Sequence, residues 1–314
     1  MKIAMLTPRS EFTQEFLDRL EQLGEIVFTD SRREYPIKEL TELCQGATII
    51  GLDPDNLGGF EKAPITFVPF LEALPMVKGI ALVTTSYGYI DIEYCKNKGI
   101  IVTNVPYYAT ESVAEHALAF LLGCAKRIFI SDRCTQSGIF KLIPGFELRG
   151  KTLGVIGLGH IGTRIAELGN AIGMKVLGWN RTHKEIPFVD IYPLDKVLSE
   201  TDAIVISLAD KEDTKYFIST AEIDKMKTGT IIVNIASRSI VDEKAMAVAL
   251  QNGKVDSYVV EGDDLTSPPL GSIEQAFLFR QFGWYTKEAL DNNYKLWIDN
   301  IESIIKNRPE NPIF

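Results

Sequence analysis

Histidine is scarce in this chain: there are three in 314 residues, at positions 116, 160 and 183, and none beyond them. Any proton transfer in the last third must therefore use another residue type. Cysteine is sparse too, with Cys44, Cys95, Cys124 and Cys134 forming no CxxC pair. That argues against a metal or redox site and predicts buried thiols in a reducing, cytoplasmic setting. No uninterrupted apolar run approaches membrane-spanning length. The opening Met1-Lys-Ile-Ala-Met-Leu6 is too short for a signal peptide's apolar region and reads as a first strand. Basic residues are in deficit, 33 against 42 acidic for a net charge of −9, which argues against nucleic acid or an anionic membrane as partner. A small anionic substrate in a locally basic cavity stays open. The length suits about two domains, each large enough to bury a core.

Glycine is placed where it carries information. Residues 152–156 read as a buried strand, followed by Gly157-Leu-Gly159-His160-Ile161-Gly162, a helix near 161–172 and a second strand over 175–179. Gly157 allows a tight turn, Gly159 lets backbone approach a pyrophosphate, and Gly162 lets helix and strand close together. The amides of Gly159, His160 and Ile161 would face the phosphates at the positive end of the helix dipole. With strand, helix and second strand in register, this is a dinucleotide-binding turn. At the end of the second strand, where an acidic residue would favour NAD, stand Asn180, Arg181 and Thr182. A guanidinium and a hydroxyl there suit a 2′-phosphate, so NADP is the first expectation and NAD the second.

Apolar periodicity alternates between strand and helix along the whole chain: strands near 2–7, 25–29, 47–52, 79–84 and 100–104, and helices near 11–23, 37–44, 70–76 and 90–98. A long apolar helix is expected from 110 to about 130, and a last one from 286 to about 306. After Arg181 the alternation resumes through a strand at 257–260. The predicted fold is α/β: two doubly wound parallel-sheet domains, a Rossmann cofactor domain over 101–285 and a flavodoxin-like substrate domain over 1–100 and 286–314. The last helix returning to the first unit would leave a cleft between them.

Four segments make the chain resemble the D-isomer-specific 2-hydroxyacid dehydrogenase family nearly end to end. They are Asn104-Val-Pro-Tyr-Tyr-Ala-Thr-Glu-Ser-Val-Ala-Glu115, the glycine turn with its leading Leu148-Arg-Gly-Lys151, Met226-Lys-Thr-Gly-Thr-Ile-Ile-Val-Asn234, and Ile240-Val-Asp-Glu243. The resemblance implies hydride transfer between a nicotinamide and C2 of a 2-oxo or 2-hydroxy acid, and a homodimer with the segment after Ser112 at the interface. It also implies an Arg for the substrate carboxylate and a His–Glu pair for the proton. Counted along the family pattern, those three positions fall on Ser237, Thr266 and Gln281, with Arg238 in a Gly position and Arg280 in a Pro position. Gln can hydrogen-bond a carbonyl but cannot deliver a proton near neutral pH.

Candidate replacements are Arg238 and Arg280 as anion holders, and Glu261, where the family has an Asp near the nicotinamide, as a base or a strand-end acceptor. Asp263 and Asp264 read as a solvated acidic loop. Ala236 is expected at the cofactor. Tyr87, Tyr89, Tyr107 and Tyr108, and the aromatic run 277–285, read mainly as packing; His116 reads as a packed or interface residue. Two functions follow: an NADP(H)-dependent oxidoreductase acting on a 2-oxo or 2-hydroxy acid or a related imine through a changed proton path, or a non-catalytic NADP(H)-binding regulatory or partner-stabilising protein.

Overall fold

The computed structural model describes residues 1–182, 184–262 and 269–314. The chain divides into two compact units, residues 1–108 with 287–314, and residues 109–286.

The first unit is built on β1 (Lys2–Pro8), β2 (Glu25–Thr29), β3 (Ile49–Leu52), β4 (Gly79–Leu82) and β5 (Ile101–Thr103), all parallel in the order β2-β1-β3-β4-β5. Period-two alternation sends Ile3 and Met5 to one face, against Phe16, Leu20 and Trp297, and Ala4 and Leu6 to the other, against Leu40, Phe67 and Phe70. Both faces are therefore covered, as an all-parallel sheet requires. This is the flavodoxin-like order. The strand Ile101–Thr103 hydrogen-bonds into this sheet, whereas the division from sequence started the second domain at 101.

The second unit holds β6 (Thr152–Ile156), β7 (Lys175–Trp179), β8 (Asp190–Ile191), β9 (Ala203–Ile206), β10 (Thr230–Asn234), β11 (Val255–Glu261) and β12 (Ala276–Phe279). Their order is β12-β11-β10-β9-β6-β7-β8, again parallel throughout. Counted from β6, this is the Rossmann order extended by one strand. Leu153, Val155, Val205 and Val233 face the helices Thr110–Ala125 and His160–Ala171, while Ile156, Ile204 and Ile232 face the opposite layer.

Three expectations change. The helix expected at 70–76 is Gly59–Glu72, with Pro64 and Pro69 inside it; its buried Ala63, Phe67 and Phe70 hold it against the sheet. The long helix from 110 breaks after Ala125, because Arg127 takes a left-handed φ of 59°, and resumes as Ile128–Gln136. Arg127 there makes a two-pronged bond to Asp256, at 2.6 and 2.7 Å. Aromatic packing holds for Tyr89, which is buried, and Tyr108, which is partly buried, but Tyr87 and Tyr107 are exposed, as are Phe282, Trp284 and Tyr285 after β12.

Candidate active site

The glycine turn joins β6 to the helix His160–Ala171. Gly157 has a φ of 97°, and a β-carbon on Gly162 would fall 1.9 Å from the Gly157 carbonyl oxygen. The Ser207 hydroxyl donates to that same oxygen at 2.6 Å, tying the turn to the segment after β9. Gly159, at the helix N-cap, has open space where a side chain would be, and no side chain caps the helix. His160 is exposed on the first turn, and Ile161 leans on the core.

Asn180 fastens the adjacent loop. Its Oδ1 accepts from the Leu158 amide at 3.0 Å, and its Nδ2 donates to the Thr182 carbonyl and hydroxyl at 2.9 and 3.0 Å. Arg181 donates to Asp213 at 2.7 Å with both side chains more than half exposed, so the pair is weak and exchangeable. Lys184, which sequence reasoning passed over, donates to the Leu158 carbonyl at 2.6 Å; a second cation shortly after Arg181 was the available signal. An uncapped helix start, open space at Gly159, no carboxylate over 180–182 and two nearby cations fit a phosphate-bearing dinucleotide.

A cavity of about 450 Å³ opens in the same unit, at the carboxyl ends of β10 and β11. Asn234, fully buried, shapes one wall: its Oδ1 accepts from the Ala236 amide at 3.0 Å, and its Nδ2 donates to the Ser237 carbonyl and the Tyr258 hydroxyl, both at 3.2 Å. Ser239 donates to Asp210 at 3.1 Å, which leaves Ser237 as donor to Ser239 at 2.9 Å. The Arg238 guanidinium grips Glu243 through two bonds of 2.7 Å, and its stem covers Gly262, where a β-carbon would meet Cδ at 2.5 Å. Arg238 thus lines the cavity as one half of an ion pair with Glu243.

The opposite wall is a clamped loop. Glu261 Oε1 accepts from the Phe282 and Gly283 amides at 3.0 and 3.1 Å, and the Ser112 hydroxyl donates to the Gly283 carbonyl at 2.5 Å. Gln281 borders the cavity beside this clamp. His116, from the helix Thr110–Ala125, brings Nε2 to 3.0 Å from Glu261 Oε1, although the nitrogen is buried and not aligned for a hydrogen bond with it.

Ala236, Ser237, Arg238, Glu261 and Gln281 therefore line one cavity, while Arg280 does not and lies exposed. Asp263, Asp264, Thr266 and His183 lie outside the described residues. Sequence reasoning missed Val113, Asp210 and Trp284 as lining residues and set His116 aside. Among the described residues no helix is long and apolar enough to cross a membrane, and no group of three His, Cys, Asp or Glu could hold a metal ion.

Residues 118–271 match the family described as D-isomer specific 2-hydroxyacid dehydrogenase, NAD binding domain. A glyoxylate reductase of Pyrococcus furiosus is 30% identical over 301 residues, covering 91% of this chain and 87% of that protein. A hydroxypyruvate reductase of Blautia hydrogenotrophica is 27% identical, covering 94% and 93%. Among solved structures, an acyclic imino acid reductase in complex with NADPH and D-Arg superposes with a TM-score of 0.80 at 26% identity over the whole of both chains.

Proposed function

Because this chain belongs to the D-isomer-specific 2-hydroxyacid dehydrogenase family, we propose that it is an NADP(H)-dependent reductase of a small 2-oxo acid or the corresponding imine, with a proton path that omits the family histidine. The observation that carries this reading is the pairing, within one unit, of a dinucleotide turn with a polar cavity at the carboxyl edge of the same sheet. When bound, the reduced nicotinamide supplies the hydride. The chain's own residues do the rest. In this reading Arg181 and Lys184 hold the 2′-phosphate, and Arg238, braced by Glu243, takes the substrate carboxylate one residue away from the usual arginine position. Gln281 donates an amide N–H to the reacting oxygen or nitrogen. An iminium already carries its proton, so such a substrate would lose little by the missing histidine. The NADPH-bound imino acid reductase among the similar structures supports both the cofactor and this substrate class.

Fluorescence titration with NADPH and then NADH tests the cofactor half. NADPH should bind at least about tenfold more tightly, and Arg181→Ala should remove most of that preference, about 1–2 kcal/mol. Equal affinity for both cofactors would overturn the NADP assignment, and no binding of either would overturn the function. A non-catalytic cofactor-binding role is the second reading, favoured by Ser237 and Gln281 standing where Arg and His are expected. A homodimer is also proposed: Phe140 and Leu142, 89% and 84% exposed beside Ile139, form an apolar ridge that a second copy would cover, and sedimentation of the purified protein measures this directly.

A further inference from the structure

The reductase reading leaves the proton for a carbonyl substrate without a donor. We infer that Glu261 is the acid and base of the cavity and that His116, behind it, is the positioning residue through which protons reach it. This rests on the reductase reading above.

Glu261 is only 6% exposed, yet it borders the cavity. Two N–H groups donate to its Oε1, the Phe282 and Gly283 amides at 3.0 and 3.1 Å, and His116 Nε2 lies 3.0 Å from the same oxygen without a hydrogen-bond partner of its own. A loop clamp alone would need only the two amides and no imidazole. His116 is buried at Nε2 but 28% exposed over its side chain, so the ring spans from the carboxylate to the unit's surface. Its ring lies 4.2 Å from that of Phe120, and its Cδ2 crowds Gly283, where a β-carbon would fall at 3.1 Å; both fix its orientation. A small rotation would align Nε2 with Oε1, the kind of tightening expected when a ligand fills the site.

Among the described residues, few charged groups surround the pair. On the cavity wall are Arg238, already bound to Glu243, and Asp210; on the helix carrying His116 are Glu115 and Glu111, the latter bound to Arg164; Arg280 lies on the strand-end loop. Gln281 and Trp284 add no charge. The protonated Glu261 carboxyl gives its proton to the substrate carbonyl oxygen as the carbonyl carbon accepts the hydride pair. The C=O π bond, the carboxyl O–H bond and the C–H bond of the reduced nicotinamide break, and a C–H and an alcohol O–H form, with the nicotinamide oxidised by two electrons. His116 then relays a proton from water to the carboxylate, so one proton is consumed per nicotinamide oxidised. An iminium substrate needs none of this.

The test compares the wild type with Glu261→Gln and His116→Asn, using NADPH with glyoxylate and with the imine formed from pyruvate and methylamine. E261Q keeps an acceptor for both loop amides. It should hold NADPH within about twofold of the wild type while losing about a hundredfold or more in kcat on glyoxylate, and far less on the imine. H116N should change the pH profile of kcat on glyoxylate, which a merely structural role would not do. Independently of turnover, proton NMR of the cofactor-free protein should show an exchange-protected imidazole N–H that is missing in H116N and displaced in E261Q. Should E261Q fail to fold, H116N carries the test, and an unchanged pH profile would overturn the inference. So would wild-type glyoxylate turnover in E261Q, or an N–H resonance that E261Q leaves in place. A wild type that binds NADPH but reduces neither substrate would overturn the reductase reading together with this one.

Discussion

A β-carbon at position 162 would lie 2.5 Å from the Ser207 hydroxyl and 1.9 Å from the Gly157 carbonyl oxygen, and the second contact is relieved only by backbone movement. Gly162→Ala should therefore abolish measurable NADPH binding by fluorescence titration and cost roughly 1–3 kcal/mol in denaturant unfolding. An alanine variant with wild-type affinity would show that the turn is not the cofactor's seat. At this scale the sequence was informative where chemistry is local. Gly157 and Gly162 do steric work within one turn, and spacing alone reveals it, whereas the bonds by which Asn180 fastens Leu158 and Thr182 were not read from sequence. The five lining residues Ala236, Ser237, Arg238, Glu261 and Gln281 could also be placed, because each sits at or just past a strand end. His116 could not. Its partner Glu261 lies on a different element far along the chain, and a histidine within an apolar helix looks the same in sequence whether it packs or pairs. Nor could the exposure of Tyr87 and Tyr107 be read, since aromatic content says nothing about which side of a loop faces water.

Among the elements, the β6–β9 junction sets the geometry of the dinucleotide turn, because this is where the strand order of the second sheet reverses. Asp202 locks it. The Thr152 amide donates to one carboxylate oxygen at 2.8 Å and Lys227 to the other at 3.0 Å. Burial alone would raise its pKa, but the Thr152 amide and the Lys227 ammonium outweigh it and hold the group below its ordinary value. The stabilisation this gives is present above the ordinary carboxylate range and lost as pH falls through the lowered folded-state pKa. Asp202→Asn should cost about 1 kcal/mol at neutral pH in denaturant unfolding, and the gap should close in acid. A gap independent of pH would assign Asp202 a packing role only. Helix and strand identities were mostly legible from periodicity, and the exceptions have local causes. Pro64 and Pro69 disguised a helix that its buried stripe maintains, and the turn at Arg127 depends on Asp256, which no local pattern announces.

For the molecule as a whole, alternation of apolar strands and helices was enough to fix two parallel-sheet units, because a parallel strand needs a crossover and both faces need cover. What the cavity does was not legible at that level, since the same fold persists when catalytic positions change. The central claim is turnover without the family histidine, and the direct measurement is steady-state oxidation of NADPH by the purified wild type, with glyoxylate, hydroxypyruvate and the pyruvate–methylamine imine as substrates and the product identified by mass. The account expects reduction of at least one of them, faster with NADPH than with NADH. Tight NADPH binding with no oxidation above background for any of the three would contradict it and leave the non-catalytic role standing.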